Sequence, residues 1–119
     1  FTIGSYLATG DNSKMMTHLP PLSADPTTKL EKAIDEIQQN LPEMKNFILP
    51  GGSEFVCRLH IIRTSCRNAE RSMVTMFDDD CTDNAHLKYI NRLSDYLFLL
   101  ARLAKHNEGS KEEFWVFEK

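Results

Sequence analysis

The sequence predicts an all-α protein, an antiparallel helix bundle that forms a single domain over residues 1–119. Apolar residues recur at the three- and four-residue spacing of a helix in three long segments. Stretches rich in Gly, Pro or Asp separate these segments, and no alternating runs predict paired strands. A length of 119 residues, with 41% hydrophobic and 26% charged residues, is typical of one globular domain.

The chain opens on an apolar run, residues 1–8, with the composition of a helix entered partway. We therefore expect a further segment before it. Residues 9–28 are rich in Gly, Pro, Ser and Asp and predict a loop. Thr27 or Thr28 is expected to cap the next helix, which ends at Leu41-Pro42. The predicted inward face of this helix comprises Leu30, Ala33, Ile34 and Ile37.

A short extended connection is predicted over residues 43–50, because Pro50 disfavours helical backbone at Leu49. After the Gly51-Gly52 turn, Ser53 is a suitable N-cap for a long helix. Its predicted inward stripe follows the helical spacing and comprises Phe55, Leu59, Ile62, Cys66, Ala69, Met73 and Met76.

The acidic run at residues 78–83 is expected to end this long helix, and Thr82 or Asp83 to cap the last one. The last helix is expected to end near Asn107-Glu108-Gly109. The aromatic tail residues Phe114, Trp115 and Phe117 are expected to pack back on the bundle or on a neighbouring subunit. The predicted inward face of the last helix comprises Leu87, Ile90, Leu93, Leu97, Leu100, Ala101 and Ala104.

Three arginines, Arg63, Arg67 and Arg71, stand at i, i+4 and i+8 in the long helix. This spacing stacks their guanidinium groups along one face, where they repel one another unless an anion lies among them. A triphosphate suits that geometry. The alternative is a solvated arginine face with ordinary surface pairs such as Arg67–Glu70.

The net charge of −3 makes the arginine stripe a local feature and argues against a nucleic-acid-binding surface. The three cysteines, Cys57, Cys66 and Cys81, lack CxxC spacing, so neither a disulfide framework nor a zinc site is predicted. A reducing compartment fits best. The apolar runs are too short to span a bilayer.

Three motifs occur in a characteristic order: Phe47-Ile48-Leu49-Pro50-Gly51-Gly52-Ser53-Glu54, then Arg63–Arg71, then Asn91–Phe98. Together they resemble the PduO-type ATP:cob(I)alamin adenosyltransferases, over a stretch that matches the C-terminal two-thirds of the family domain. The resemblance implies a five-helix bundle, usually a homotrimer with active sites between subunits. It also implies transfer of the 5′-deoxyadenosyl group of ATP to cobalt with release of triphosphate, in a bacterial cytoplasm or a mitochondrial matrix.

The resemblance also implies roles for individual residues. Arg67, as a catalytic residue, and Arg71 would hold the triphosphate, and Glu70 would coordinate Mg²⁺ through water or orient an arginine. Arg63 would pair with an aspartate of the N-terminal part at the subunit interface. Asn68 stands where the family commonly has another arginine, which weakens one phosphate contact. The residues implied in nucleotide binding are Arg63, Arg67, Asn68, Ala69, Glu70, Arg71 and Asn91.

Phe47 resembles the family's aromatic residue that occupies the lower face of cobalt, where it displaces the axial base and makes Co(II) easier to reduce. A blocker of this kind must be apolar and carry no ligating atom, which a phenylalanine satisfies. This implies that Phe47 binds the corrinoid and acts catalytically. The alternative is an apolar residue that fastens a loop to the core.

One departure from the family pattern concerns the N-terminal ATP loop, which is absent from this sequence. Thr9-Gly10-Asp11-Asn12 is superficially similar to it, but is predicted to be an interhelical loop. Two alternatives to the transferase therefore stay open: a non-catalytic corrinoid-binding bundle and a plain helical interaction module.

Overall fold

A computed structural model describes residues 1–10, 14, 17–21, 23–77 and 84–118. Over these residues the chain is all-α, so the predicted fold class is confirmed. None of the described helices is long and apolar enough to cross a membrane. The helices are α1 (Thr2–Thr9), α2 (Asp25–Gln39), α3 (Glu54–Met76) and α4 (Ala85–Asn107).

The central helix is α4, which packs against both α2 and α3. Because it is covered on two sides, its buried residues extend beyond a single apolar stripe and include Ser94, Arg102 and Lys105. The start of α3 meets the end of α4, where the Ser53 hydroxyl donates to Glu108 Oε1 at 2.7 Å. The two long helices are therefore antiparallel. Their shared core consists of Val56, Leu59 and Ala101, with Leu100 and Ala104 packed against it.

The Ser53 cap is found as predicted, with its Oγ accepting from the Val56 amide at 3.3 Å. The preceding turn requires glycine at position 52, where φ is 149° and an added Cβ would lie 3.2 Å from two atoms of Val56. The end of α4 at Asn107, followed by Gly109 with φ of 72°, also agrees with the prediction.

Two predicted caps were wrong. Helix α2 begins at Asp25, so Thr27 and Thr28 lie inside it. Pro26 fits the first turn because proline lacks an amide N–H, and the N–H groups of the first turn have no acceptor within the helix. The cap of α4 is Asn84, whose Oδ1 accepts from the amides of His86 and Leu87 at 3.0 and 3.2 Å. The residues predicted for that cap, Thr82 and Asp83, lie outside the described residues, as does the rest of the acidic run at residues 78–83.

The predicted inward stripe of α3 was half wrong. Leu59 and Met73 are buried and Cys66 is half-buried, as expected. The remaining stripe residues, which lie seven positions apart in the chain, are exposed instead. Among the described helices, α3 packs extensively only against α4, and α4 covers a narrower face of α3 than the predicted stripe. The side chains that complete the covered face are Val56, His60, Arg63 and Glu70. The exposed row, which we call the heptad row, comprises Phe55, Ile62, Ala69 and Met76.

The described residues form no regular strands, as predicted, but they include one isolated bridge between extended segments. Ile48 and Phe114 form an antiparallel β-bridge. The Leu49 amide donates to the Glu113 carbonyl at 2.7 Å, and the Trp115 amide donates to the Phe47 carbonyl at 2.8 Å. The segments 47–49 and 113–115 are here called the extended pair. The tail thus returns to the molecule through its backbone, which an alternation pattern could not reveal.

Candidate functional site

The arginine stripe lies on a continuous stretch of α3, so the helix spacing assumed for it holds. Arg67 and Arg71 are exposed, whereas Arg63 is half-buried. Arg71 donates to Asn68 Oδ1 at 3.2 Å. Within the described ranges, no carboxylate forms an ion pair with Arg67 or Arg71. The two guanidinium groups therefore remain available for an external anion.

Arg63 differs from the other two arginines in its surroundings. Its guanidinium carbon lies 5.7 Å from the centre of the Phe98 ring, a cation–π distance. Its Nε is buried and has no hydrogen-bond partner among the described residues. Burial lowers the pKa of Arg63, and the positive charge of Arg67 lowers it further. A buried donor of this kind calls for an acceptor from outside the described part of the chain.

Glu70 and Asn91 connect two of the motifs across the interface between α3 and α4. Asn91 Nδ2 donates to Glu70 Oε1 at 2.8 Å, and Asn91 Oδ1 accepts from Arg92 at 2.6 Å. Arg92 also pairs with Asp95 at 3.1 Å. The surface pair Arg67–Glu70 is thus replaced by an interhelical hydrogen bond. The Asn91 amide fixes the Glu70 carboxylate beside the arginine stripe.

A cavity of about 500 Å³ opens between α2, α3 and α4, and Glu70 and Asn91 line it. Six of its eight lining residues were not predicted as site residues, and Thr27, Glu31 and Lys88 are three of them. The periodicity of α2 shows which of its residues face inward, but not which neighbouring helix those residues approach. The remaining lining residues are Val74, Leu87 and Arg92.

The last two residues of the predicted nucleotide site, Asn68 and Ala69, are exposed next to Arg67. The neighbouring Cys66 points the other way, since its thiol donates to the Ile90 carbonyl at 3.5 Å. Burial raises the pKa of this thiol, and the Glu70 charge adds to the effect. Cys66 is therefore a neutral packing residue of the α3–α4 interface.

Phe47 lies in the extended pair, and 71% of its surface is exposed. A residue that fastens a loop to the core would be buried, so this exposure argues against that alternative. Phe47 does not line the cavity that Glu70 and Asn91 share. One chain thus brings Glu70 and Asn91 together, and Phe47 lies outside their cavity.

A helix bundle whose exposed Arg67 and Arg71 have no ion-pair partner among the described residues, beside a fixed carboxylate, has the features of an anion-binding protein. The family model described as cobalamin adenosyltransferase matches residues 1–104. The chain belongs to the cobalamin adenosyltransferase family.

Curated relatives agree with this assignment. The mouse (Mus musculus) corrinoid adenosyltransferase MMAB is 42% identical over 115 residues, which cover 95% of this chain and 48% of that enzyme. The Bacillus subtilis corrinoid adenosyltransferase is 42% identical over 88 residues, covering 74% of this chain and 46% of that enzyme. The chain thus spans about half the length of the curated relatives it matches.

Solved structures show the same fold. A phenylalanine-to-alanine variant of the PduO-type ATP:corrinoid adenosyltransferase from Lactobacillus reuteri, complexed with cobalamin and ATP, superposes with a TM-score of 0.85. It is 35% identical, and the match covers 98% of this chain and 64% of that one. An arginine-to-lysine variant of the same enzyme, complexed with ATP, gives a TM-score of 0.82 at 35% identity, with coverage of 98% of this chain and 64% of that one.

Proposed function

We propose that the protein transfers the 5′-deoxyadenosyl group of ATP to the cobalt of cob(I)alamin. The Co(I) lone pair attacks C5′, the C5′–O bond breaks, and triphosphate leaves with the bonding electrons. The observation that carries the proposal is the pair of exposed arginines, Arg67 and Arg71, next to the Glu70–Asn91 hydrogen bond. The family of the chain supplies the identity of the anion.

Little acid–base chemistry is needed, because cob(I)alamin is a strong nucleophile. The protein must instead place the two substrates and neutralise the departing triphosphate. Arg67 and Arg71 suit the second task, since planar guanidinium groups hold phosphate oxygens in pairs. Asn91 would donate to the nucleotide from the opposite helix. Arg63, whose Nε has no hydrogen-bond partner within the described ranges, would pair with a carboxylate at a subunit interface.

The residues present also fit a Mg²⁺ ion. Mg²⁺ is usually held by one or two carboxylates together with phosphate oxygens and water. Glu70 is half-buried at the edge of the cavity, and Asn91 already fixes one of its oxygens. Its carboxylate would hold the ion through water, and the ion would neutralise phosphate charge alongside Arg67. Mg-ATP is therefore the proposed nucleotide substrate.

Phe47 would occupy the lower face of the corrinoid, because it is exposed, apolar and free of ligating atoms. A sequence spacing supports this role. In the Lactobacillus reuteri enzyme the substituted phenylalanine and arginine are twenty positions apart, as are Phe47 and Arg67 here. Cobalamin is thus the proposed acceptor. The free thiols of Cys57 and Cys66 support a reducing compartment, either a bacterial cytoplasm or a mitochondrial matrix.

A direct test supplies Mg-ATP and chemically reduced cob(I)alamin to the protein without oxygen. We expect the visible spectrum of adenosylcobalamin to appear, with one triphosphate released per corrinoid. Corrinoid binding without transfer would favour the non-catalytic carrier. Failure to bind either ATP or corrinoid would favour a plain interaction module.

The active form is proposed to be a homotrimer whose subunits complete one another's sites. The heptad row presents Phe55, Ile62 and Met76 at 61, 51 and 55% exposure along one side of α3. Apolar residues that recur every seven positions are typical of helices that pack against partner helices.

We therefore expect the protein to elute as a trimer in size-exclusion chromatography with light scattering, and Ile62→Glu to elute as a monomer. A carboxylate at this position would have to be buried unpaired, at a cost of several kcal/mol. Ile61→Glu is the matched control, since Ile61 is 63% exposed and lies outside the heptad row. A wild-type monomer that is fully active, or a trimeric Ile62→Glu, would contradict the assembly.

A further inference from the structure

The extended pair that carries Phe47 has little support of its own. It is joined by two backbone hydrogen bonds, from Leu49 to Glu113 and from Trp115 to Phe47. Phe47 and Trp115 are 71 and 48% exposed, so their side chains add little burial against the helices. A two-stranded pair is at best marginally stable in water. Contacts outside the pair must therefore set its position on the bundle.

Arg102 of α4 supplies such contacts. Its side chain is 5% exposed, and it holds the Glu112 carboxylate at both oxygens, with Nε–Oε1 at 2.6 Å and Nη2–Oε2 at 3.2 Å. The same Nη2 donates to the Pro42 carbonyl at 2.9 Å. Glu112 directly precedes one segment of the pair, and Pro42 begins the connection to the other. One guanidinium thus ties both segments to α4.

The geometry of these contacts restricts movement of the pair. A guanidinium that meets a carboxylate at two atoms fixes orientation as well as distance. Because the ion pair is buried, losing one partner leaves an uncompensated charge with little access to water. The contacts of Arg102, which we call the anchor, lie near the end of α4. Arg67 and Glu70 lie in the second half of α3.

We propose that Arg102 is a positioning residue for Phe47, acting through Glu112 and the Pro42 carbonyl. The inference rests on the proposed place of Phe47 at the corrinoid. Arg102 and Glu112 hold the extended pair at a fixed position along the axis of α4, so that the Phe47 ring contacts the corrinoid face. The two residues affect the reaction with the corrinoid and do not affect the affinity for ATP.

The test compares Glu112→Gln and Arg102→Lys with the wild type. Glu112→Gln keeps the shape of the side chain without its charge, and Arg102→Lys keeps the charge without the planar fork. We expect kcat/KM for cob(II)alamin with a reductant to fall about 10- to 100-fold, because a small displacement of a group at the reacting centre lowers the rate by such factors. The KM for ATP should stay within about twofold of the wild-type value. Backbone amide exchange at Leu49 and Trp115 should become faster in both variants.

The matched control is Glu54→Gln, which removes the exposed Arg58–Glu54 pair at the start of α3. It should change neither amide exchange nor corrinoid kinetics. Unchanged exchange in Glu112→Gln, or an equal loss of ATP and corrinoid affinity, overturns the positioning role. If Arg102→Lys does not fold, Glu112→Gln decides alone. A wild type without transfer activity would refute the proposed function instead, and amide exchange would still test the anchor.

Discussion

Phe47→Ala is expected to abolish most of the activity that starts from cob(II)alamin and a mild reductant. In its proposed role the ring keeps water and the cofactor's own base from the lower face of cobalt, and without it five-coordinate Co(II) would be harder to reduce. We expect a loss on the order of 100-fold or more, comparable with removing a principal group of an active site. The assay is adenosylcobalamin formation, followed by visible absorption.

Two further measurements separate this role from a structural one. Prereduced cob(I)alamin should restore much of the activity, because the transfer step does not use the ring. Since Phe47 is 71% exposed, its removal should change the free energy of unfolding by no more than about 0.5 kcal/mol. A core-packing role predicts about 3–5 kcal/mol and equal damage to both assays.

Phe47→Leu and Met44→Ala serve as the matched controls. Leucine is apolar and has no ligating atom, so Phe47→Leu should keep part of the cob(II)alamin activity. Met44 is a 41% exposed apolar residue of the same connection, and its truncation should leave activity unchanged. If the bound Co(II) cofactor of Phe47→Ala keeps its four-coordinate spectrum, the blocking role is wrong.

Arg67→Ala is expected to weaken Mg-ATP binding and adenosyl transfer while helix content stays constant. The charge-assisted contacts of one guanidinium with phosphate are worth about 1.5–3 kcal/mol. This corresponds to about a 10- to 150-fold loss in kcat/KM for ATP, at 1.4 kcal/mol per factor of ten. Titration calorimetry with ATP and steady-state kinetics measure the two effects, and circular dichroism monitors the helix.

Arg58→Ala is the control for charge on the same helix. Arg58 is exposed and already paired with Glu54, and it lies outside the stripe. Its removal should affect ATP binding little, since exposed pairs contribute less than about 1 kcal/mol. Steady-state kinetics of Arg67→Ala that match the wild type would remove the stripe from the triphosphate site.

Most of the helical framework could be predicted from the sequence. The Ser53 cap, the end of α4 near Asn107 and the extended connection before Pro50 follow from residue types close together in the chain. The arginine stripe belongs to the same class, because helical spacing alone decides which residues share a face. The motif set also indicated the family, which the comparisons confirmed.

Other features depended on contacts between distant parts of the chain. Periodicity placed Ile62 and Leu59 on one apolar stripe, but only packing against α4 decided that Leu59 is buried and Ile62 exposed. The Glu70–Asn91 hydrogen bond depends on how far α3 and α4 are shifted relative to each other along their axes. Neither outcome is encoded in a local pattern.

The sequence by itself determined where the helices lie, how most of them end and that the three arginines share one face of α3. The tertiary structure decided which face of α3 is covered. It also placed the tail beside Phe47 through backbone hydrogen bonds, and it paired Glu112 with the buried Arg102. The physical reason is the range of the interactions. Helix formation and capping act over a few residues, whereas burial and ion pairing depend on whatever the fold places opposite each side chain.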